Sequence, residues 1–150
     1  MDRRRFLLAV ASLPVCRAKA ADTVEFASVR PGRKLSFPAD HGAHPRFRTE
    51  WWYATGWLVL PDGSQLGFQV TFFRVRTGIA EENASAFAPR QLILAHAAVA
   101  DPRVGHLRYD ERAARVGFGR AGFDAERTNV WAGDWRLEQQ DDDYFATVNG

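Results

Sequence analysis

The chain has 150 residues, with 20 lysines and arginines against 18 aspartates and glutamates, a net charge of +2, and one cysteine. The basic excess belongs to the first twenty residues: Arg3, Arg4, Arg5, Arg17 and Lys19 against Asp2, without which 15 basic residues face 17 acidic ones, a net −2. This balance gives no footprint for a nucleic-acid partner. It also leaves residues 21–150 without a cysteine, so no disulfide is available to hold them.

At the N-terminus, Arg3-Arg4-Arg5-Phe6-Leu7-Leu8 feeds the apolar stretch to Val15, the pattern of an export signal. That stretch falls short of the roughly twenty residues a membrane span needs. Arg3-Arg4 followed by Phe6-Leu7 fits the twin-arginine pattern, and Ala18-Lys19-Ala20 supplies a small-x-small cleavage site. Residues 1–20 are therefore expected to be a signal peptide, and residues 21–150 a periplasmic or secreted β domain. The rival is Leu13-Pro14-Val15-Cys16, with Cys16 as a lipid attachment point, although Val15 is large for the preceding position.

Phe37 to Arg48 is a polar, proline-punctuated approach loop that runs directly into the strand-forming Glu50-Trp51-Trp52-Tyr53. Glu50–Leu60 and Leu66–Phe73 read as a hairpin around Pro61-Asp62-Gly63-Ser64. A three-residue loop at Asp62–Ser64 would set Leu58 opposite Phe68 and Trp57 opposite Gln69. Residues 78–90 read as a mobile loop and Leu92–Ala100 as a third strand. Shorter strands are expected near His106–Tyr109 and Val116–Gly119, with a single helical turn over Asp110–Val116. Arg136–Gln140 and Tyr144–Val148 pair around Asp141-Asp142-Asp143, and the chain then stops at the turn pair Asn149-Gly150, as though in mid-fold. Many short strands separated by turns predict one all-β, antiparallel sandwich or barrel domain.

Period-two alternation divides the hairpin into two faces. Trp52, Ala54, Leu58, Leu66, Phe68, Val70 and Phe72 form a core face. Trp51, Tyr53, Thr55, Trp57, Gln69 and Thr71 form the other, an aromatic surface with a few hydrogen-bonding groups suited to a largely apolar ligand. Packing under other elements explains that face equally well.

Glu50, beside three aromatics at a strand start, is a candidate general acid if burial keeps it protonated. Arg48 or Arg74 beside it would instead keep it ionised as a sheet anchor. Asp40 next to His41 is a second acid that could fix an imidazole tautomer, or else an Asx turn into Gly42. His41 and His44 are three apart in a loop containing Gly42 and Pro45, a poor match to the paired helical ligands of zinc sites, so no metal is expected. His96, between Ala95 and Ala97, is a core histidine or a polar group facing a barrel interior. No nucleophile elbow or phosphate loop is present and no cofactor is expected.

The words Phe37-Pro38-x-Asp40-His41-Gly42-x-His44-Pro45 and Thr49-Glu50-Trp51-Trp52-Tyr53, followed by Thr55-Gly56 and Gly67-Phe68-Gln69-x-Thr71-Phe72-Phe73-Arg74, resemble the AttH and carotenoid 1,2-hydratase (hydroxyneurosporene synthase) family. The likeness runs from about Ser36 to Val148, and Trp131 and Trp135 match a later Trp-x-x-x-Trp stretch expected to close a barrel end. It implies a lipocalin-like barrel, the first of two tandem β domains with the second absent here. It also implies either hydration of an isolated C=C of an isoprenoid or carotenoid, or a non-catalytic periplasmic carrier of a lipophile working with an ABC-type transporter. Hydration would need Glu50 or Asp40 as acid and His41 or His44 with Asp40 to position water. Trp51, Tyr53 and Trp57 would stabilise the carbocation, while Arg48, Gln69, Thr71, Arg74 and His96 would complete the ligand site. Peripheral contact with the membrane is a further expectation; nucleic acid is not.

Overall fold

A computed structural model describes residues 24–150; the expected signal peptide and Cys16 lie outside the described residues. Eight strands follow in chain order: β1 (Thr49–Val59), β2 (Gln65–Arg76), β3 (Gln91–Ala100), β4 (Leu107–Arg115), β5 (Ala121–Phe123), β6 (Asn129–Ala132), β7 (Trp135–Gln140) and β8 (Asp143–Thr147). They form two four-stranded antiparallel meanders, β1-β2-β3-β4 and β5-β6-β7-β8, joined near Gly117 and Ala121. The up-and-down order is that of a barrel, yet β1 and β8 are left as unpaired edges, so the expected all-β architecture takes the form of an open sandwich.

The core lies between the two sheets. From the first sheet come Phe72, Ile93 and Ala95, and from the second Ala121, Val130, Ala132, Trp135 and Leu137, with Trp52, Val70 and Ala97 packed around them. Each fully buried large side chain contributes roughly 1.5–3 kcal/mol relative to exposure. Trp135 thus anchors the core, whereas the family resemblance implied a place at a barrel end; its indole N–H finds the Asn149 carbonyl 2.6 Å away.

The first hairpin pairs Leu58 with Leu66 and Gly56 with Phe68, two residues away from the expected register. The turn chemistry explains the shift: Gly63 takes the left-handed position (φ 79°) and its N–H bonds the Leu60 carbonyl, so the three-residue loop is Pro61–Gly63 and not Asp62–Ser64. An even shift leaves the face assignment intact, and Trp52, Val70 and Phe72 do face the core.

Two expectations fail. Asp110–Val116 is not helical: Asp110–Arg115 belongs to β4, which runs from Leu107 in continuous register with β3, so tertiary pairing overrides a local propensity. Val116–Gly119 is not a strand, because Gly117, Phe118 and Gly119 all take positive φ and turn the chain towards β5. β5 and β6, at three and four residues, were too short to be read from periodicity.

Candidate functional site

The approach loop fills the seam between the two unpaired edges. A short 3-10 turn, Ala39–His41, sets His41 and His44 on the loop's inner side. Backbone bonds then fix the loop on both flanks: the Ala43 N–H donates to the carbonyl of Asp124 in the β5–β6 connection (2.9 Å), and Ala27 donates to Arg46 (2.9 Å). The Thr128 hydroxyl donates to the His41 carbonyl at 2.8 Å. Gly42 is required here because a Cβ would overlap the Ala125 carbonyl.

At the first sheet, Glu50 and Arg74 are cross-strand neighbours on the core-facing side of β1 and β2. Arg74 is 0 % exposed and spends its donors on Glu50 Oε2 (3.1 Å), the Gln91 side-chain carbonyl (2.8 Å) and the backbone carbonyls of His44 and Phe47 (both 3.0 Å). The ring of Phe123 lies 5.7 Å from its guanidinium. Glu50 in turn receives the His44 backbone N–H on both oxygens (3.0 and 2.9 Å) and His44 Nδ1 at 2.6 Å. The other ring nitrogen of His44, Nε2, lies 2.7 Å from Asp40 Oδ1, and Asp40 also accepts from Arg33 (2.6 Å) and the Ser36 backbone N–H. Arg33, Asp40, His44, Glu50 and Arg74 therefore form one continuous ionic chain from surface to core.

Both ring nitrogens of His44 meet carboxylates, which requires both to carry hydrogen. Burial opposes the charged imidazole, but the hydrogen bonds to Asp40 and Glu50 outweigh it and hold the His44 pKa above its ordinary value. Asp40 is held below the ordinary carboxylate range, first by the Ser36 N–H and then by His44. With both nitrogens engaged, His44 has no lone pair to give a metal, and among the described residues no group of three or more His, Cys, Asp or Glu is arranged to hold one.

Against this chain opens a cleft of about 400 Å³, walled by Asp40, His41, His44 and Glu50 from the loop and strand start, Trp51, Trp52 and Tyr53 from β1, and Thr128, Leu137 and Tyr144 from the second sheet. The Tyr144 hydroxyl lies 3.2 Å from His41 Nδ1, bridging the seam. All four proposed catalytic positions, Asp40, His41, His44 and Glu50, thus border one cleft, with Trp51 and Tyr53 at its rim.

The other candidates lie elsewhere. Trp57, Gln69, Thr71 and His96 share the outward face of the first sheet, where Trp57 is 70 % exposed and His96 faces Glu111 at 3.8 Å. Arg48 points to the surface and stacks over Phe26 at 5.5 Å, leaving Glu50 to Arg74. Gln91, Thr128, Leu137 and Tyr144 escaped sequence reasoning. Tyr144 is 103 residues from His41, and only the meander's closure brings them together.

No curated protein sequence matches the chain. A crystal structure assigned to AttH from Nitrosomonas europaea is 45 % identical and superposes with a TM-score of 0.72 over 83 % of this chain, and this chain spans only 37 % of that protein's length. The AttH-like family model matches residues 28–149, nearly the whole described region, and the chain belongs to the AttH-like family.

Proposed function

We propose that the protein is an exported lipophile-binding protein whose seam cleft takes one end of a small, largely apolar molecule of isoprenoid or carotenoid type. One observation carries this: the cleft sets aromatic and aliphatic walls, Trp52, Tyr53, Tyr144 and Leu137, against a single ionic end at Asp40, His44 and Glu50. Apolar lining with a few convergent polar groups is the usual constitution of a small-ligand site. Delivery of the ligand to an ABC-type transporter would follow from such a role, and a twin-arginine leader would place it outside the cytoplasm.

A binding role suits the geometry better than alkene hydration. Hydration starts with protonation of a C=C by a positioned acid, and here both Glu50 oxygens and Asp40 accept hydrogen bonds from fixed donors. Hydration retains one specific support, the partly exposed imidazole of His44 at the cleft wall, whose pKa the Asp40 and Glu50 hydrogen bonds raise.

The test is titration of the protein with an acyclic ψ-end polyene in detergent, read by quenching of tryptophan fluorescence and by mass spectrometry of the extracted polyene. Saturable quenching with unchanged polyene, weakened at least tenfold by Tyr53→Ala with Tyr144→Ala, supports the binding role. A product heavier by one water, lost in His44→Gln, would replace it with the hydratase. Absence of both would remove the lipophile from the cleft.

A further inference from the structure

We propose that the exposed segment Val29–Phe37, with the arginine-lined groove it borders, docks the protein on an anionic phospholipid surface. Residues 28–39 are exposed throughout. The turn at Pro31-Gly32 stands clear of the domain: Gly32 has φ 77° and nothing lies within 4 Å of where its Cβ would be. In this polar stretch three large apolar side chains face water, Val29 at 86 %, Leu35 at 63 % and Phe37 at 60 % exposure. Arg30, Arg33 and Lys34 alternate with them along the chain. Apolar tips flanked by cations are the composition that settles at the boundary between headgroups and acyl chains.

The groove behind the segment extends the cationic surface. It has a volume of about 660 Å³ and brings Arg30, Arg33 and Arg46 to the same walls, with Ser28, Phe26 and Phe47. Arg48 lies over the same Phe26 ring. Of the two acids of this region, Asp40 pairs with Arg33 at 2.6 Å and Glu25 lines the groove, so positive charge remains in excess through Arg30, Lys34, Arg46 and Arg48.

Charge is segregated along the chain in the same sense. Residues 24–48 carry five basic and two acidic residues, and residues 49–150 carry ten basic and fourteen acidic. An anionic surface attracts the first part and repels the second, so it selects the orientation that presents Val29, Leu35 and Phe37. A soluble anion would account for the arginines but not for three exposed apolar side chains. The docking surface does not depend on what the seam cleft binds, although it would bring the mouth of that cleft close to a lipid phase.

The experiment is flotation of the full chain with vesicles of phosphatidylcholine alone and with phosphatidylglycerol added, at low and high salt, together with amide hydrogen exchange read at residues 28–37. Binding is expected only to the phosphatidylglycerol vesicles and to fall with salt, with exchange slowed across residues 28–37. Arg30→Glu with Lys34→Glu should weaken binding at least about 25-fold, since each positive charge near an anionic surface contributes roughly fivefold. Val29→Ser with Leu35→Ser should weaken it about tenfold or more through lost apolar burial. All four side chains are exposed, and the variants leave residues 1–20 unchanged. Vesicle binding through the leader would therefore persist in both variants without protecting residues 28–37, and that result would overturn the proposal. Equal binding to neutral vesicles would also overturn it, as would the same protection produced by soluble glycerophosphoglycerol without vesicles.

Discussion

Replacing Arg74 with methionine tests the ionic chain at its buried end. The methionine fills much of the arginine's aliphatic volume, so the loss is mainly electrostatic. Glu50 loses the donor at 3.1 Å, and the carbonyls of His44 and Phe47, each 3.0 Å from the guanidinium, lose theirs. Breaking one partner out of a buried charge pair costs about 3–5 kcal/mol, and each carbonyl that water does not reach adds about 1 kcal/mol. A loss near 5 kcal/mol is expected, comparable with the total stability of many domains, about 5–15 kcal/mol. Urea unfolding followed by tryptophan fluorescence measures it, with the fully buried Trp135 reporting on the core. Arg74→Lys should recover only part, because a single ammonium cannot reach Glu50, Gln91 and two backbone carbonyls in their separate directions. In a double-mutant cycle with Glu50→Gln, the two losses should couple by about 1–3 kcal/mol. A loss under about 1.5 kcal/mol for Arg74→Met, or additivity with Glu50→Gln, would show that the loop does not depend on this arginine.

Two further outcomes follow from the same network. His44 has its pKa raised by the two carboxylates, so its contribution to stability is fully present below the unfolded histidine value and is lost as pH rises through the folded one. Asp40 has its pKa lowered, so its contribution is present above the ordinary aspartate value and is lost as pH falls through the folded one. Thermal unfolding across pH should therefore show a plateau between these limits, and His44→Gln should remove the alkaline decline and also shrink the acid one, since His44 helps hold Asp40 down; an unchanged alkaline decline would discount the His44 bridge. Gly42→Ala places a methyl group against the Ala125 carbonyl, and displacing the loop should cost about 1–3 kcal/mol. The same variant should speed amide exchange at Ala43, whose N–H bonds Asp124, while leaving the β2–β3 amides protected.

Much of the first sheet was legible because its signals are local. Alternation from Trp51 to Phe72 identified which residues face the core, and the register error of two did no harm because parity survived it. The Glu50–Arg74 pair was among the open alternatives for the same reason: two same-face positions on neighbouring strands have few other places to go. In the second sheet the β7–β8 hairpin was legible around its Asp141-Asp142 turn, but local pattern could not supply β5 and β6, which total seven residues, or the strand character of Asp110–Arg115, which comes from pairing with β3. His44 illustrates the limit most sharply. The sequence put it near Asp40 and Glu50, but its role as the link between them depends on a loop path fixed by Asp124, Thr128 and Ala125, eighty or more residues away in the chain.

The position of the cleft follows from the same long-range closure. A meander of eight strands can join its first and last members by hydrogen bonds and become a barrel; here β1 and β8 remain apart. The approach loop occupies the space between them, and polar side chains hold the two edges together: His44 with Glu50 on one flank, Thr128 and Tyr144 with His41 on the other. A seam bridged by side chains opens by breaking a few hydrogen bonds, whereas a seam closed by paired strands would lose a ladder. Glu50 and Trp52 belong to β1, Leu137 to β7 and Tyr144 to β8, so any separation of the edges changes the cleft's width directly. A ligand that fits the cleft must therefore stabilise the seam by its own binding free energy. The outward face carrying Trp57, Gln69, Thr71 and His96 has no such coupling, since it lies within a continuously paired sheet.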